Sequence, residues 1–300
     1  MSILWNRYHI SIIDIDKIPL SVQSFHSSIK DVKKQSLKSL NIALCKNCLL
    51  ISNIAYNNNN QDIIYNDNYY YAPSEISNKE KEFQQKLAAQ INNHISLKDK
   101  TILEIGCGDG YFLNQLTKFG NDGIGYDPSA ACNKAMQYKN LDVKKEIFQP
   151  HKSIHNNVDF IVLRHVLEHL ESPIKFLKSL SNYHSLNNEF QYLYIEVPNV
   201  KFCIENNMYF DFYYDHIFYF NKYTLTEILK HCGWSPLYNI FGDDNEFLGL
   251  ISQKRKQKVK KELDYSFDSQ FINLITRFNN NYRSWREKLL RILKDIKAAN

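Results

Sequence analysis

Between the apolar run Ile102-Leu103-Glu104-Ile105 and the helical stretch Tyr111 to Phe119 lies Gly106-Cys107-Gly108-Asp109-Gly110, a junction that narrows the possible folds more than any other feature. Alternate glycines let the backbone turn through left-handed conformations and approach a ligand closely. The helix that follows without a gap turns its N-terminal N–H groups toward an anionic group. A strand that runs through a glycine turn into a helix is the opening half of a parallel βαβ unit. Downstream the pattern repeats, with apolar runs at 101–105, 123–126, 159–163 and 192–197 alternating with helical segments.

These signals define an α/β fold, a Rossmann-like and mostly parallel sheet. Gly120 closes the helix after the first strand, and Ser172-Pro173 opens another with a cap and a first-turn proline. Thr224 with Glu227 opens a third helix, which Gly233 closes. Two strand-like runs, Trp234 to Phe241 and Phe247 to Gln253, then flank the turn Gly242-Asp243-Asp244-Asn245. That terminal hairpin inserts an antiparallel strand at the end of the sheet, which nicotinamide-binding domains usually lack. No internal repeat is visible, so solenoids and propellers are excluded.

Three regions follow from composition. Residues 1–76 hold short apolar stretches and one Cys-x-x-Cys, which suits a small irregular region. Residues 77–255 form the α/β domain, beginning with a helix whose capping box is Ser77 and Glu80 and whose apolar face is Phe83, Leu87, Ile91 and Ile95. Residues 256–300 space Phe271, Leu274, Ile275, Phe278, Trp285, Leu289 and Leu293 as amphipathic helices that pack on the domain, on a partner or on a second copy.

The 300 residues are 44% hydrophobic and 23% charged, enough for a full core and an accessory region. Apolar runs such as Phe160 to Leu163 are far shorter than the roughly 20 residues of a membrane span, so no membrane partner and a cytoplasmic setting are expected. Six cysteines, mostly scattered, read as reduced thiols. The net charge of +5 is modest, and Lys254 to Lys261 reads as a solvated helix start, so no nucleic-acid partner is expected.

The spacing G-x-G-x-G in place of G-x-G-x-x-G favours S-adenosylmethionine over a dinucleotide. The cofactor-binding candidates are Glu104, Gly106, Cys107, Gly108, Gly110 and Tyr111, with Asp127 and Pro128 at the end of the second strand. Asp127 follows Gly106 by 21 residues, placed to hold ribose hydroxyls. Phe148 and Gln149 are assigned to the adenine, and the segment Leu163-Arg164-His165-Val166-Leu167-Glu168-His169-Leu170 resembles the one that borders the methyl-donor pocket in many class I methyltransferases, which implies Arg164 and His165 there. Arg164 and His165 read equally well as a helix-start pair with ordinary hydrogen bonds.

Several segments together resemble the sugar C-methyltransferases, over most of 14–255. They are Pro19-Leu20, Cys45-x-x-Cys48, Tyr69-Tyr70-Tyr71-Ala72-Pro73-Ser74 and Tyr213-Tyr214-Asp215-His216-Ile217-Phe218-Tyr219-Phe220. The resemblance implies His216 as general base, with Tyr213, Asp215 and Tyr71 lining the acceptor site. It also implies a zinc-binding N-terminal region, for which Cys45 and Cys48 are the ligand-spaced pair and His9 and His26 possible additions. Methylating a carbon beside a ketone requires removal of its proton, which a histidine titrating near neutrality is suited to accept. The chain departs from the family at Tyr214 and Asp215, where the family has His and Glu, and at Asn245 to Gly249, where it has His-Gly-Gly-Ser. No counterpart of its C-terminal Rossmann-like domain is recognised in 256–300.

The expected activity is methyl transfer from S-adenosylmethionine to a small molecule, with a sugar or sugar-nucleotide carbon foremost. Two alternatives stand beside it: an O- or N-methyltransferase acting on another small acceptor, and a non-catalytic methyltransferase fold that binds cofactor or a partner.

Overall fold

The computed structural model describes residues 9–20, 28, 30, 36–57, 77–152, 155, 158–183, 191–242, 245–255 and 269–299. The strands are β1 (His9–Pro19), β2 (Leu37–Cys45), β3 (Ile51–Asn53), β4 (Thr101–Ile105), β5 (Asp122–Tyr126), β6 (Leu141–Lys144), β7 (Phe160–Arg164), β8 (Tyr192–Pro198), β9 (Phe218–Tyr219), β10 (Trp234–Gly242) and β11 (Phe247–Lys254). The helices are α1 (Asn78–His94), α2 (Tyr111–Thr117), α3 (Cys132–Ala135), α4 (Pro173–Ser181), α5 (Val200–Glu205), α6 (Lys222–His231) and α7 (Ser269–Ala299), with 3-10 turns at Leu167–His169 and Tyr209–Asp211.

The larger sheet has the order β10-β11-β8-β7-β4-β5-β6. Its strands from β6 through β8 run parallel, and β11 is the antiparallel strand wedged between β8 and β10. The α/β class, the parallel strands and the terminal hairpin thus follow the sequence reading. Strands β4, β7 and β8 are buried on both faces, which is why they read as unbroken apolar runs such as Phe160 to Leu163.

Local signals account for most helix ends. The Ser77 side chain accepts from the Glu80 N–H at 3.1 Å, while the Glu80 side chain turns instead to Gln84 at 2.9 Å. The cap of helix α6 lies three residues before the expected one. Asn221 accepts from the Thr224 N–H at 2.9 Å and Thr224 Oγ1 accepts from the Asn221 N–H at 3.1 Å, a full capping box that places Thr224 inside the helix.

The N-terminal region is more regular than its composition suggests. Strands β1, β2, β3 and β9 form a four-stranded antiparallel sheet, over a core that includes Ile12, Leu40, Ile42 and Ile51. Its fourth strand comes from 165 residues further along the chain, a pairing that local pattern does not signal: Ile51 faces Tyr219 and Ser52 faces Phe218. Directly after β9, Phe220 bridges to Asn199 and its carbonyl accepts from Val200 N at 3.0 Å, which joins the small sheet to the α/β domain. Among the described residues of the terminal segment there is one helix, α7. Phe271, Ile275, Phe278 and Tyr282 bury one stripe of it on the small sheet and α5, and Asn279 Nδ2 donates to the carbonyls of Ser11 and Ile12 at 2.8 Å.

Asn53 carries the joint between the sheets. Its Nδ2 donates to the Tyr214 carbonyl at 3.0 Å, and its Oδ1 accepts from Ala55 N at 3.1 Å. Buried groups left unpaired cost roughly 1–3 kcal/mol. Asn53→Ala is therefore expected to destabilise the fold by about 2 kcal/mol in urea unfolding. Hydrogen exchange should quicken across 213–219 and stay unchanged in the 104–110 loop; equal quickening in both would contradict a local joint.

Candidate functional site

The glycine loop leaves the carboxyl end of β4 and is pinned to the neighbouring strand. Gly106 N and Cys107 N both donate to the Tyr126 carbonyl, at 2.8 and 3.1 Å, and Gly108 N donates to Asp127 Oδ2 at 2.9 Å. Gly106 and Gly110 adopt φ of +78° and +73°, which disfavour any side chain. A Cβ at Gly106 would strike the Val166 side chain, and one at Gly110 would lie 2.7 Å from Ala135 Cβ. Gly110 N donates to the Cys107 carbonyl at 2.8 Å and Tyr111 N to Asp109 Oδ1 at 3.2 Å. The N–H groups of Gly106, Cys107, Gly108, Gly110 and Tyr111 thus bond within the loop and to the neighbouring strand.

The loop borders a cavity of about 430 Å³ that takes in Glu104, Gly106, Cys107, Gly108, Asp127, Pro128, Phe148, Arg164 and His165 of the expected residues. Asp127 keeps one carboxylate oxygen on Gly108 N and the other on Ser129 N at 2.7 Å, which holds it at the cavity wall. Phe148 stands edge-on to Tyr126, with ring centroids 5.1 Å apart, and forms an aromatic wall suited to a flat ring. Gly110, Tyr111 and Gln149 are not among the lining residues; the Tyr111 hydroxyl accepts from Gln85 Nε2 at 2.8 Å. Several lining residues escaped the sequence reading, among them Gln84 of α1, Asp109 and His169.

Below the cavity lies a buried charge network. Arg164 Nε and Nη2 each reach Glu196 Oε1 at 2.8 Å, Tyr194 donates its hydroxyl to Glu196 Oε2 at 2.7 Å, and the guanidinium lies 4.4 Å from the Phe112 ring centre. Glu196 is held down at about 2: Arg164, His165 and Tyr194 together outweigh the burial that would raise it. Although burial works against its charge, His165 is raised to about 9 by Glu168 and Glu196, at 3.6 and 3.3 Å. Glu104 has no such bond to spare. Burial pushes it up to about 8, only partly offset by Arg164, and its Oε2 is buried without a hydrogen-bond partner.

The residues expected at the acceptor site gather around His169. His169 lines the cavity, and its Nδ1 lies 3.0 Å from the Asp215 carbonyl oxygen. His216 stands behind it, outside the lining residues, with ring centroids 4.7 Å apart at 82°. Burial and the neighbouring His169 push His216 down to about 4, which corrects the expectation of a near-neutral histidine there. Tyr213 packs on the other edge of His216 at 5.1 Å and donates its hydroxyl to Asp211 Oδ1 at 3.3 Å. Tyr71 and His26 lie outside the described residues.

The zinc expectation finds no support. His9 faces Cys45 across β1 and β2, yet among the described residues the Cys45 and Cys48 pair gathers no third ligand. Burial pushes the Cys48 thiol up to about 11, away from the thiolate that zinc requires.

The family described as "Methyltransferase domain" matches residues 79–239, more than half of the chain. The chain belongs to the methyltransferase domain family. The tRNA U34 carboxymethyltransferase of Helicobacter pylori strain G27 is 31% identical over 106 residues, 32% of this chain and 40% of that protein. The protein of the same name from Aliarcobacter butzleri strain RM4018 is 34% identical over 98 residues, 30% of this chain and 32% of that one. The chain thus spans two fifths or less of the length of these relatives. Among solved structures, a SAM-dependent methyltransferase from Aquifex aeolicus is 20% identical, with 61% of this chain and 99% of that chain covered and a TM-score of 0.47. Magnesium protoporphyrin IX methyltransferase from Synechocystis, with bound SAH, is 14% identical, with 59% and 83% covered and a TM-score of 0.45. Neither the sugar branch of the family nor its zinc knuckle is singled out by these likenesses. No helix among the described residues of this methyltransferase domain is long and apolar enough to cross a membrane.

Glu104 makes stability depend on pH. Its carboxyl titrates near 8 in the fold against an ordinary 4.5, so between those values the folded chain holds a proton that the unfolded chain has released. Stability therefore falls as pH rises from 4.5 to about 8. Glu104→Gln should flatten that slope, so that thermal melting at the alkaline end of the window rises by several degrees relative to the unsubstituted chain. Parallel melting curves across the window would refute the assignment.

Proposed function

We propose that the chain transfers the methyl group of S-adenosylmethionine to a small-molecule acceptor, with a sugar or sugar nucleotide as the preferred class. The observation that carries this reading is one continuous cavity with two chemically different ends: Glu104, Asp127 and Phe148 around the glycine loop, and Arg164, His165 and His169 beyond it.

The residues present fit the cofactor. The unpartnered Glu104 oxygen, buried in the cavity wall, suits the amino group of its methionyl part, and an ammonium placed there would draw the proton off that carboxyl. Asp127, at the end of β5, suits the ribose hydroxyls, and the Phe148 and Tyr126 rings suit adenine. The glycines at 106 and 110 permit the loop to turn beside it without a side chain. When bound, S-adenosylmethionine supplies an electrophilic methyl on a sulfonium. The chain's own residues orient the acceptor in line with it, with the guanidinium and imidazolium of Arg164 and His165 close to where negative charge develops on the acceptor. The acceptor lies beside His169, which lines the cavity, and gives up its proton to solvent water. A carbon beside a ketone or a hydroxyl would both meet that requirement.

A second reading, with tRNA as acceptor, is favoured by the name of the relatives and runs against the expectation of no nucleic-acid partner. It draws on similarity over 32% of this chain. Incubation with S-adenosylmethionine and, in parallel, nucleotide-linked keto sugars and bulk tRNA separates the two. A methylated sugar identified by mass spectrometry supports the first reading. Modified nucleosides in digested tRNA, with no sugar product, would replace it by the second.

Asp127→Ala should weaken S-adenosylmethionine binding by about 10- to 100-fold, the range expected for lost hydrogen bonds to a charged group, as read by isothermal titration. Unchanged affinity would remove Asp127 from the site.

A further inference from the structure

We propose that Glu168, His169 and His216 form a binding site for one divalent transition-metal ion of the zinc class, at the acceptor end of the cavity. One nitrogen from each imidazole and one carboxylate oxygen lie within 4.8 Å of one another, which is the sole such grouping among the described residues. Two nitrogen ligands and one oxygen suit zinc and its neighbours, and three protein ligands leave a coordination position open to water or an acceptor oxygen.

Three independent observations support a site over an incidental cluster. Glu168 is 1% exposed, yet neither of its carboxylate oxygens has a hydrogen-bond partner, and its nearest cationic atom is His165 Nδ1 at 3.6 Å. A buried carboxylate without hydrogen bonds is costly unless a charge meets it. His169 is oriented from behind, with Nδ1 3.0 Å from the Asp215 carbonyl oxygen and 3.7 Å from Asp215 Oδ2. That outer contact is of the kind metal-binding histidines use to fix their ring. Finally, the two ligand-bearing segments are tied together before any ion arrives, because Ile217 N donates to the Glu168 carbonyl at 2.8 Å.

The use of the ion deepens the methyl-transfer reading and rests on it; the binding does not. His169 lines the cavity, so an ion held there meets an acceptor oxygen lying beside Arg164 and His165. Bound to the ion, a hydroxyl or an enolisable carbonyl becomes more acidic. His216 then supplies a lone pair to the ion, and the acceptor's proton, made more acidic by the Lewis acid, passes to solvent water.

The test uses the full chain carrying Cys45→Ser and Cys48→Ser, stripped with chelator and titrated with Co²⁺, and follows the visible ligand-field absorption together with metal content by mass spectrometry. One cobalt per chain is expected, displaced by Zn²⁺. Binding should weaken by more than about tenfold in His216→Ala and in Glu168→Gln, since even outer contacts shift metal affinity by that factor. His169→Asn serves as the second variant if either of these fails to fold by circular dichroism. No cobalt binding, or binding indifferent to all three substitutions, overturns the proposal. S-adenosylmethionine binding measured on the same preparations keeps the two readings apart. Its persistence without cobalt binding sinks only the metal site, whereas cobalt binding without it leaves the metal site and removes the methyltransferase reading.

Discussion

The Arg164 to Glu196 ion pair is the interaction on which the site depends. It crosses between adjacent parallel strands at matched register, so the end of β7 and the middle of β8 are clamped side by side beneath the cavity. A buried pair of this kind stabilises little on balance, because desolvation offsets most of the attraction. Its value lies in position. Glu196 gathers Arg164, His165 and the Tyr194 hydroxyl on its two oxygens, and this aims the guanidinium and imidazole at the cavity. Gly249 on β11, directly opposite Glu196, leaves the space that the Tyr194 hydroxyl occupies; a Cβ there would come within 2.5 Å of it.

From this clamp the charge pattern of the cavity follows. Glu196 is committed to ionised partners and stays low, Glu168 stays low through His165, and Glu104, buried with its Oε2 unpaired, rises. Glu104 is therefore ready to lose its proton when a cation arrives beside it, while Arg164, Glu196 and His165 already carry charge. Such a division suits a ligand with both an ammonium and a carboxylate, and an acceptor that turns anionic as it reacts.

The parts of this arrangement that were legible in the sequence are those that local physics determines. The glycine loop, the buried parallel strands and the terminal hairpin each carry a short-range pattern, and Asp127 stands at a spacing set by the βαβ unit. The small sheet was not legible, because β3 and β9 are three and two residues long and pair across 165 residues of chain. The same applies to the acceptor end. Glu168 and His169 stood in the segment that drew attention to Arg164 and His165, but which of these faces the cavity is decided by the 3-10 turn and the left-handed backbone of His165, with φ of +53°. The role first assigned to His216 rested on an ordinary imidazole, and burial behind His169 is a property of the packed molecule alone.

The hydrogen bonds from Asn279 to Ser11 and Ile12 close a loop of more than 260 residues. Contacts so distant in sequence bring their ordering cost long before their reward, so they form late in folding. The strands that make the glycine loop are joined within 101–126, and their pairing needs nothing from either end. Assembly is thereby ordered in time: the glycine loop and its strands reach their shape on local instructions, and the small sheet is completed last, when the long helix docks.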